Sequence, residues 1–207
     1  MSTEHFDQRA AGWDADPDKV ARAQEVARAV TANVSTDEHT RLLEYGAGTG
    51  LVTQGLLGRV GPVTLADNSP GMRSVVQEKI AAGALPVDAR VWDLDLEVQT
   101  APPGRFDLIV SSLVLHHVRR LDLVLEGLAG MLDPGGHLAV ADLDAEDGSF
   151  HGHDSDLEVR HGFDREELTK ALRSAGLTDV VISDCTHVVR DGRPYPVFLA
   201  TARKPQE

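Results

Sequence analysis

The stretch that decides the fold is Leu42-Leu43-Glu44-Tyr45-Gly46-Ala47-Gly48-Thr49-Gly50. A short apolar run leads into three glycines at alternate positions, and residues typical of a helix follow. Glycine permits a tight turn and lets a ligand approach the main chain closely. In an open parallel sheet, such a turn lies at the carboxyl end of the strands, where ligands bind. The stretch therefore predicts a ligand-binding turn between a strand and a helix.

The charges around this turn indicate which kind of nucleotide it binds. Asp67 ends the next apolar run, 17 positions after Gly50, and an acidic residue about 20 positions on can hold ribose hydroxyls. The glycines are spaced G-x-G-x-G, whereas NAD-binding proteins carry G-x-G-x-x-G. Glu44 would repel a pyrophosphate but suits a cation. S-adenosylmethionine, which carries a sulfonium, an ammonium and no phosphate, fits the turn better than a dinucleotide.

Strand-like and helix-like segments alternate along the rest of the chain, which predicts a mainly parallel sheet covered on both faces. Residues 4 to about 33 have helical spacing, and later helices are expected near 52–60, 70–83, 121–132 and 164–175. The predicted strands are 41–45, 62–67, 87–93, 106–112, 137–144, 178–184 and 195–204. No linker or repeat divides the chain, so residues 1–207 are expected to form a single domain.

Composition and charge exclude several classes of function. The 207 residues carry a net charge of −13, which disfavours nucleic acid as a partner. A single cysteine, Cys185, cannot form an internal disulfide or a thiolate metal cluster. The N-terminus lacks the apolar region of a secretory signal, and no apolar run approaches the roughly 20 residues of a membrane span. We therefore expect a cytoplasmic protein without a membrane partner.

Together these motifs resemble the class I S-adenosylmethionine-dependent methyltransferases, in particular the type 11 or ubiquinone-biosynthesis-like group. The likeness covers residues 40 to 145 well. It implies an α/β, Rossmann-like, doubly wound and mainly parallel seven-stranded sheet, with helices on both faces and an antiparallel last strand. The segments that carry the likeness are 44–50, 67–72, 93–94, 106–112 and 132–136.

The resemblance also implies roles for individual residues at the cofactor. Glu44 would orient the glycine loop and the amino end of S-adenosylmethionine, and Asp67 would hold the ribose hydroxyls. Asp93 would accept a hydrogen bond from the adenine amino group. Met72 and Leu94 would lie against adenine, although either could belong to the core instead. The remaining predicted cofactor-binding residues are Gly46, Gly48, Gly50, Asn68 and Ser111.

Histidines supply the candidates on the acceptor side. His116 and His117 follow the fourth strand and could act as a general base, because imidazole titrates near neutrality, or could line the pocket. Asp142, His151 and His153 are predicted to line the substrate pocket. His151, His153 and His161 could alternatively bind a metal ion. A mobile loop over residues 145–162 is the preferred interpretation, and no metal site is predicted.

These observations predict methyl transfer from S-adenosylmethionine to a small-molecule acceptor at O, C or N, with S-adenosylhomocysteine as the product. A cofactor-binding protein without methyl transfer and a nucleotide-dependent oxidoreductase are the alternatives. Phe6 and Trp13-Asp14 suggest that residues 1–40 form a helical lid on a core of residues 41–207, although packing on the sheet edge would also fit. The chain is expected to be a monomer or a homodimer.

Overall fold

A computed structural model of the chain describes residues 3–151 and 160–206. Its centre is a seven-stranded sheet. The strands are β1 (Leu42–Tyr45), β2 (Val63–Asp67), β3 (Arg90–Asp93), β4 (Phe106–Ser112), β5 (Leu132–Leu143), β6 (Thr178–Arg190) and β7 (Arg193–Arg203). They lie in the order β3-β2-β1-β4-β5-β7-β6. The pairs among β1 to β5 are parallel, and β7 is antiparallel to both neighbours, which confirms the predicted sheet.

Six helices connect or flank these strands in the part of the chain that is described. They are α1 (Glu4–Arg9), α2 (Pro17–Asn33), α3 (Leu51–Leu56), α4 (Pro70–Ala81), α5 (Leu121–Met131) and α6 (Arg165–Ser174). Side chains of Asp16, Ser69 and Asp164 cap α2, α4 and α6 by accepting backbone N–H groups of the first turn. None of the described helices has the length and apolarity needed to cross a membrane.

The helices form two layers because successive residues of a strand point to opposite faces of the sheet. Leu42 packs with α2, α3 and α4 in one apolar cluster. Leu43, the next residue, packs with α5 and α6 in a second cluster on the other face. Helices therefore cover both faces of the sheet, as predicted, and ligands can reach it only at a strand end or an edge.

Several segments differ from the sequence prediction. The helix predicted from residue 4 to about 33 is interrupted by a 3₁₀ turn at Ala10–Ala15, because Asp16 precedes Pro17 and is held in an extended conformation. Strand β5 begins at Leu132, five positions before the predicted start at residue 137. The extra residues are accommodated by a shift of register opposite Phe106–Leu108 and by the positive φ of Gly135.

Candidate active site

The glycine loop follows β1 at the carboxyl end of the sheet. Gly46 and Gly48 both have positive φ angles, 67° and 54°. A Cβ atom on Gly46 would lie 2.3 Å from Cγ2 of Val114, so packing forbids any side chain there. A Cβ on Gly48 would meet nothing closer than the Met72 sulfur at 4.0 Å. Gly48 lines a cavity, so its missing side chain leaves space for a ligand.

Glu44 holds this loop to the helix that follows it. Its Oε2 accepts hydrogen bonds from the backbone N–H of Thr53 at 3.0 Å and from the Thr53 hydroxyl at 2.5 Å. Burial raises the pKa of Glu44 to about 7, and the two hydrogen bonds from Thr53 oppose that rise. A cation bound beside Glu44 would favour the charged carboxylate. The hydrogen bonds to Thr53 are therefore the contacts through which Glu44 would orient the glycine loop.

Asp67 lies at the end of β2 and faces the same loop. Its Oδ2 accepts from Gly48 N–H at 2.7 Å and its Oδ1 accepts from Ser69 N–H at 2.8 Å. Burial raises the pKa of Asp67, whereas these backbone hydrogen bonds lower it. Each carboxylate oxygen has a second acceptor position, so Asp67 can bind hydroxyl groups of a ligand while it fixes the loop.

Three histidines line another part of the site. His116 and His117 lie in a 3₁₀ turn after β4, and His151 follows the end of β5 by eight positions. The ring centroids of His116 and His117 are 4.0 Å apart, and that of His151 is 5.3 and 5.2 Å from them. Phe6 packs against His117 at 5.5 Å, and Phe150 against His151 at 4.8 Å.

Asp142 orients one of these rings. This fully buried residue of β5 accepts a hydrogen bond at Oδ1 from Nδ1 of His116, with a distance of 2.6 Å. Backbone N–H groups of Leu115, His116 and Leu143 donate to the same carboxylate. The carboxylate can only accept from the ring, so it places the proton on Nδ1 and leaves a lone pair on Nε2 of His116.

Burial disfavours the protonated form of the His117 and His151 rings. Burial lowers the pKa of His117 to about 2, and the nearby rings of His116 and His151 lower it further. Burial also lowers the pKa of His151 to about 4. Each neutral ring keeps one nitrogen as a hydrogen-bond acceptor or metal ligand. His117 and His151 can therefore each present an unprotonated ring nitrogen to the site.

A single cavity of about 620 Å³ joins the two sides. Its volume is typical of a site for a small molecule or cofactor. Most of the residues predicted from the sequence line it. These are Glu44, Gly46, Gly48, Asp67, Asn68, Met72, His116, His117 and His151.

Five predicted residues lie outside the lining of that cavity, within the described part of the chain. Asp93 is exposed at the end of β3 and pairs with Arg73 at 3.0 Å, and Leu94 is buried in the core. Gly50 and Ser111 are buried behind the cavity wall, and Asp142 reaches the cavity only through His116. The predicted contact of His153 falls outside the described residues.

The N-terminal segment covers the cavity. Phe6 and Trp13 line it, and two carboxylates attach the segment to the ligand-binding elements. Asp7 accepts from the Ser69 hydroxyl at 2.5 Å and from Gly71 N–H at 2.9 Å. Asp14 accepts from the Thr49 hydroxyl at 2.6 Å and pairs with Lys79 at 2.5 Å. The aromatic residues of this segment therefore form a wall of the site.

A second wall of the cavity was not predicted from the sequence. Residues 186–190 of β6 and Lys19 and Arg22 of α2 also line the cavity. The predicted strand ended at residue 184, although Thr186, Val188 and Val189 have strong β-propensity and would have supported a longer strand. Residues 186–190 reach the cavity because β6 packs against α2. The sequence carries no local signal of that contact.

Comparison with known proteins identifies the family. The family described as a methyltransferase domain matches residues 18–182. An uncharacterised methyltransferase of Schizosaccharomyces pombe is 31% identical over 154 residues, covering 68% of this chain and 54% of that protein. A hybrid PKS-NRPS synthetase, lepA of Aspergillus flavus, is 33% identical over 129 residues, covering 58% of this chain. The chain spans only 3% of the length of that synthetase.

The three-dimensional fold is also that of known methyltransferases. The N-methyltransferase NodS of Bradyrhizobium japonicum, solved with S-adenosylhomocysteine, superimposes with a TM-score of 0.73 at 20% identity. The superposition covers 98% of each chain. The sheet order, the glycine loop and the family match agree. The chain therefore belongs to the methyltransferase domain family.

Proposed function

We propose that this protein binds S-adenosylmethionine in the 620 Å³ cavity and transfers its methyl group to a small-molecule acceptor at O, C or N. S-adenosylhomocysteine would be the second product. The observation that carries this proposal is the shared cavity, which is lined both by the glycine loop and Asp67 and by His116, His117 and His151. Donor and acceptor can therefore meet in one cavity.

The cofactor side has the features that S-adenosylmethionine requires. Open space in front of Gly48 admits a ligand against the main chain. Asp67 retains acceptor positions for ribose hydroxyls, Asn68 lies next to it on the cavity wall, and buried Met72 offers an apolar contact for adenine. Glu44 places a carboxyl group behind the loop, which suits a cationic ligand. Once bound, the cofactor supplies an electrophilic methyl group on its sulfonium.

Four predicted cofactor contacts stay predictions. Asp93 and Leu94 would have to meet adenine from the end of β3, beyond the cavity wall. Gly50 would act by shaping the glycine loop, and Ser111 would act by shaping the end of β4. Substitution of Asp93 by Asn, followed by titration with S-adenosylhomocysteine, tests the adenine contact directly, because a true contact weakens binding severalfold.

On the acceptor side, His116 is placed to activate the substrate. Its Nε2 carries the lone pair, because Asp142 holds the proton on Nδ1. An acceptor hydroxyl, amine or acidic C–H at Nε2 would give its proton to the ring as the methyl group is transferred. Such general-base assistance typically contributes about 10²–10⁴-fold. His117 would contact the acceptor as an unprotonated wall of the same pocket.

The size and the lining of the cavity support a small acceptor. Phe6 and Trp13 close one side, and residues 186–190 close another. A cavity of about 620 Å³ that also holds the cofactor leaves room for a compact substrate. The similarity to a hybrid PKS-NRPS synthetase agrees with this, since the name of that protein refers to the synthesis of polyketides and peptides.

The first experiment is calorimetric titration with S-adenosylmethionine and S-adenosylhomocysteine. We expect one site on the wild-type protein, with binding at least about tenfold weaker in Asp67→Asn, which loses one hydrogen bond to a charged group. Asp122→Asn is the matched control, because Asp122 is exposed on α5 and pairs only with Arg120 in the described chain. NADH is titrated in parallel, and saturable NADH binding with no response to either sulfur ligand would refute the proposal.

Methyl transfer itself is tested by following S-adenosylhomocysteine formation against a panel of phenols, amines and β-dicarbonyl compounds. Formation that depends on the acceptor supports the proposal. Tight cofactor binding without acceptor-dependent turnover across the panel would instead favour a binding protein that shares the fold.

A further inference from the structure

We propose that His116, His117 and His151 form a binding site for a divalent transition-metal ion, with Zn²⁺ as the representative ion. One ring nitrogen from each of the three residues lies within 4.8 Å of the other two. The three histidines line the same cavity as the glycine loop. The existence of the metal site does not depend on the proposed methyl transfer, although its use by the enzyme does.

The hydrogen-bond inventory is the first argument. Among the described residues, Nε2 of His116, Nδ1 of His117 and Nε2 of His151 are buried and have no hydrogen-bond partner. Burying a polar group without a partner costs free energy, and natural proteins rarely leave several such groups side by side. A shared cation would satisfy three neighbouring lone pairs at once.

The support of His116 is the second argument. A metal-binding histidine usually donates its other ring N–H to a carboxylate or a carbonyl, which fixes the tautomer and the direction of the lone pair. Asp142 does this for His116 at 2.6 Å, from a position where three backbone N–H groups hold the carboxylate. The carboxylate also supplies negative charge next to the site.

The donor set decides the class of ion. Neutral imidazole is a ligand for Zn²⁺, Fe²⁺, Co²⁺ and Ni²⁺, whereas Mg²⁺ and Ca²⁺ prefer oxygen. Three protein ligands leave a tetrahedral ion with one open position, which is the arrangement of catalytic rather than structural zinc. That position would face the cavity, because all three histidines line it.

The required movement is small. With a Zn–N bond of about 2.0–2.1 Å, two nitrogens on a tetrahedral ion lie about 3.4 Å apart. The largest spacing of 4.8 Å must therefore shorten by about 1.4 Å. His151 is half-buried and rotates most easily, while His116 is held by Asp142. Binding would thus draw His151 toward the other two rings.

A metal ion here would change how the acceptor is activated, and this consequence rests on the proposed function. Nε2 of His116 cannot take a proton while it binds a metal ion. An acceptor oxygen in the open position would instead have its pKa lowered by the ion and would lose its proton to solvent. Oxygen acceptors that can also chelate, such as catechols and β-diketones, fit this site better than amines.

The test uses the untagged full chain after treatment with a chelator. Zn²⁺ is titrated by calorimetry, and Co²⁺ is followed by the visible absorption that distinguishes four-coordinate from hydrated cobalt. We expect one equivalent of each ion to bind and the cobalt spectrum to be four-coordinate. His117→Ala and His151→Ala should each weaken binding about 100-fold or more. Asp142→Asn, which keeps all three ligands, should weaken it about 10–100-fold.

His39→Ala serves as the matched control, because His39 is a surface histidine with an 86% exposed side chain. It should bind both ions like the wild type. The absence of stoichiometric binding, or binding that survives in both His117→Ala and His151→Ala, would overturn the proposal. His151→Ala keeps the test valid if the more buried variants unfold. Titration of S-adenosylhomocysteine on the same samples separates a failed metal site from a failed cofactor site.

Discussion

Nδ1 of His116 and Oδ1 of Asp142 are 2.6 Å apart in a hydrogen bond that joins the loop after β4 to the end of β5. Both side chains are at most 2% exposed. A charge-assisted hydrogen bond in so buried a place fixes the ring more firmly than a surface contact would. It makes His116 the best-oriented polar side chain on the acceptor side.

In the metal-free protein, replacement of His116 by Gln should lower kcat for methyl transfer by about 10²–10⁴-fold, the usual contribution of a general base. The dissociation constant of S-adenosylhomocysteine should stay within about twofold, because the ring contacts the acceptor side only. Initial-rate kinetics with an accepted substrate, combined with calorimetry, measures both. An equal loss in His39→Ala, or a large loss of cofactor affinity in His116→Gln, would contradict the assignment.

Asp142 acts through His116 as a positioning residue. Asp142→Asn should lower kcat with little change in the KM of the acceptor, because an amide can present a donor to Nδ1 and shift the proton to Nε2. Asp142→Glu should recover part of the rate if it keeps the acceptor role. A loss of stability that tracks the loss of rate in both variants would indicate a merely structural role.

The buried Glu44 should make the stability of the ligand-free protein depend on pH. Its pKa rises from 4.5 in the unfolded chain to about 7 in the fold, so its contribution is fully present below pH 4.5 and is lost as pH rises through 7. The loss would be roughly 3 kcal/mol at most. His117 and His151, whose pKa values are lowered, add the opposite pH dependence to both proteins, so the loss is read from the difference between them. Urea unfolding should show that the stability of the wild type relative to Glu44→Gln falls between pH 5 and pH 8. Glu78→Gln, an exposed change on α4, should behave like the wild type.

Two glycines of the same loop should respond differently to alanine. Gly46→Ala should cost several kcal/mol of stability, since the added methyl meets Val114 at 2.3 Å in addition to the roughly 1–2 kcal/mol of a left-handed conformation. Gly48→Ala should cost only the conformational part, but its methyl enters the cavity and should weaken S-adenosylhomocysteine binding at least tenfold. Val114→Ala should partly rescue Gly46→Ala and leave Gly48→Ala unchanged, and equal effects of the two glycine changes would contradict this account.

The attachment of the N-terminal segment can be tested through Asp7. Asp7→Asn weakens the contacts with Ser69 and Gly71, so the amides of residues 4–15 should exchange hydrogen faster and S-adenosylhomocysteine should dissociate faster. The midpoint of thermal unfolding should change little. Glu4→Gln, an exposed change in the same helix, is the control. An unchanged dissociation rate in Asp7→Asn would show that ligands leave by another route.

The cofactor side was largely predictable because it depends on local order. The glycines, Glu44 and the strand that precedes them are adjacent in sequence, and Asp67 follows in the next unit of the alternating pattern. Such short-range rules identify the turn and its place at the end of the sheet. These rules do not predict how segments that are distant in the sequence pack together. The contact that excludes a side chain at Gly46 is of this kind, because Val114 lies in a distant segment.

The acceptor side was predicted only as separate candidates. His116 and Asp142 lie 26 positions apart, and their contact depends on the pairing of β4 with β5 and on the local 3₁₀ turn. His151 joins them through a loop whose path has no sequence signature. The sequence predicted no metal site, since spacing along the chain did not bring His116 and His117 together with His151.

The N-terminal segment forms a wall of the cavity but is not part of the sheet. Entry and exit of ligands therefore depend on contacts that differ from those that keep the sheet folded. Apolar packing holds the sheet, whereas the ion pair of Asp14 with Lys79 helps to fasten the segment, beside the hydrogen bonds of Asp7 and the ring contact of Phe6 with His117. Salt screens ionic contacts and leaves apolar packing intact. Raising the ionic strength should therefore change the rates at which ligands enter and leave the cavity, at salt concentrations that leave the protein folded.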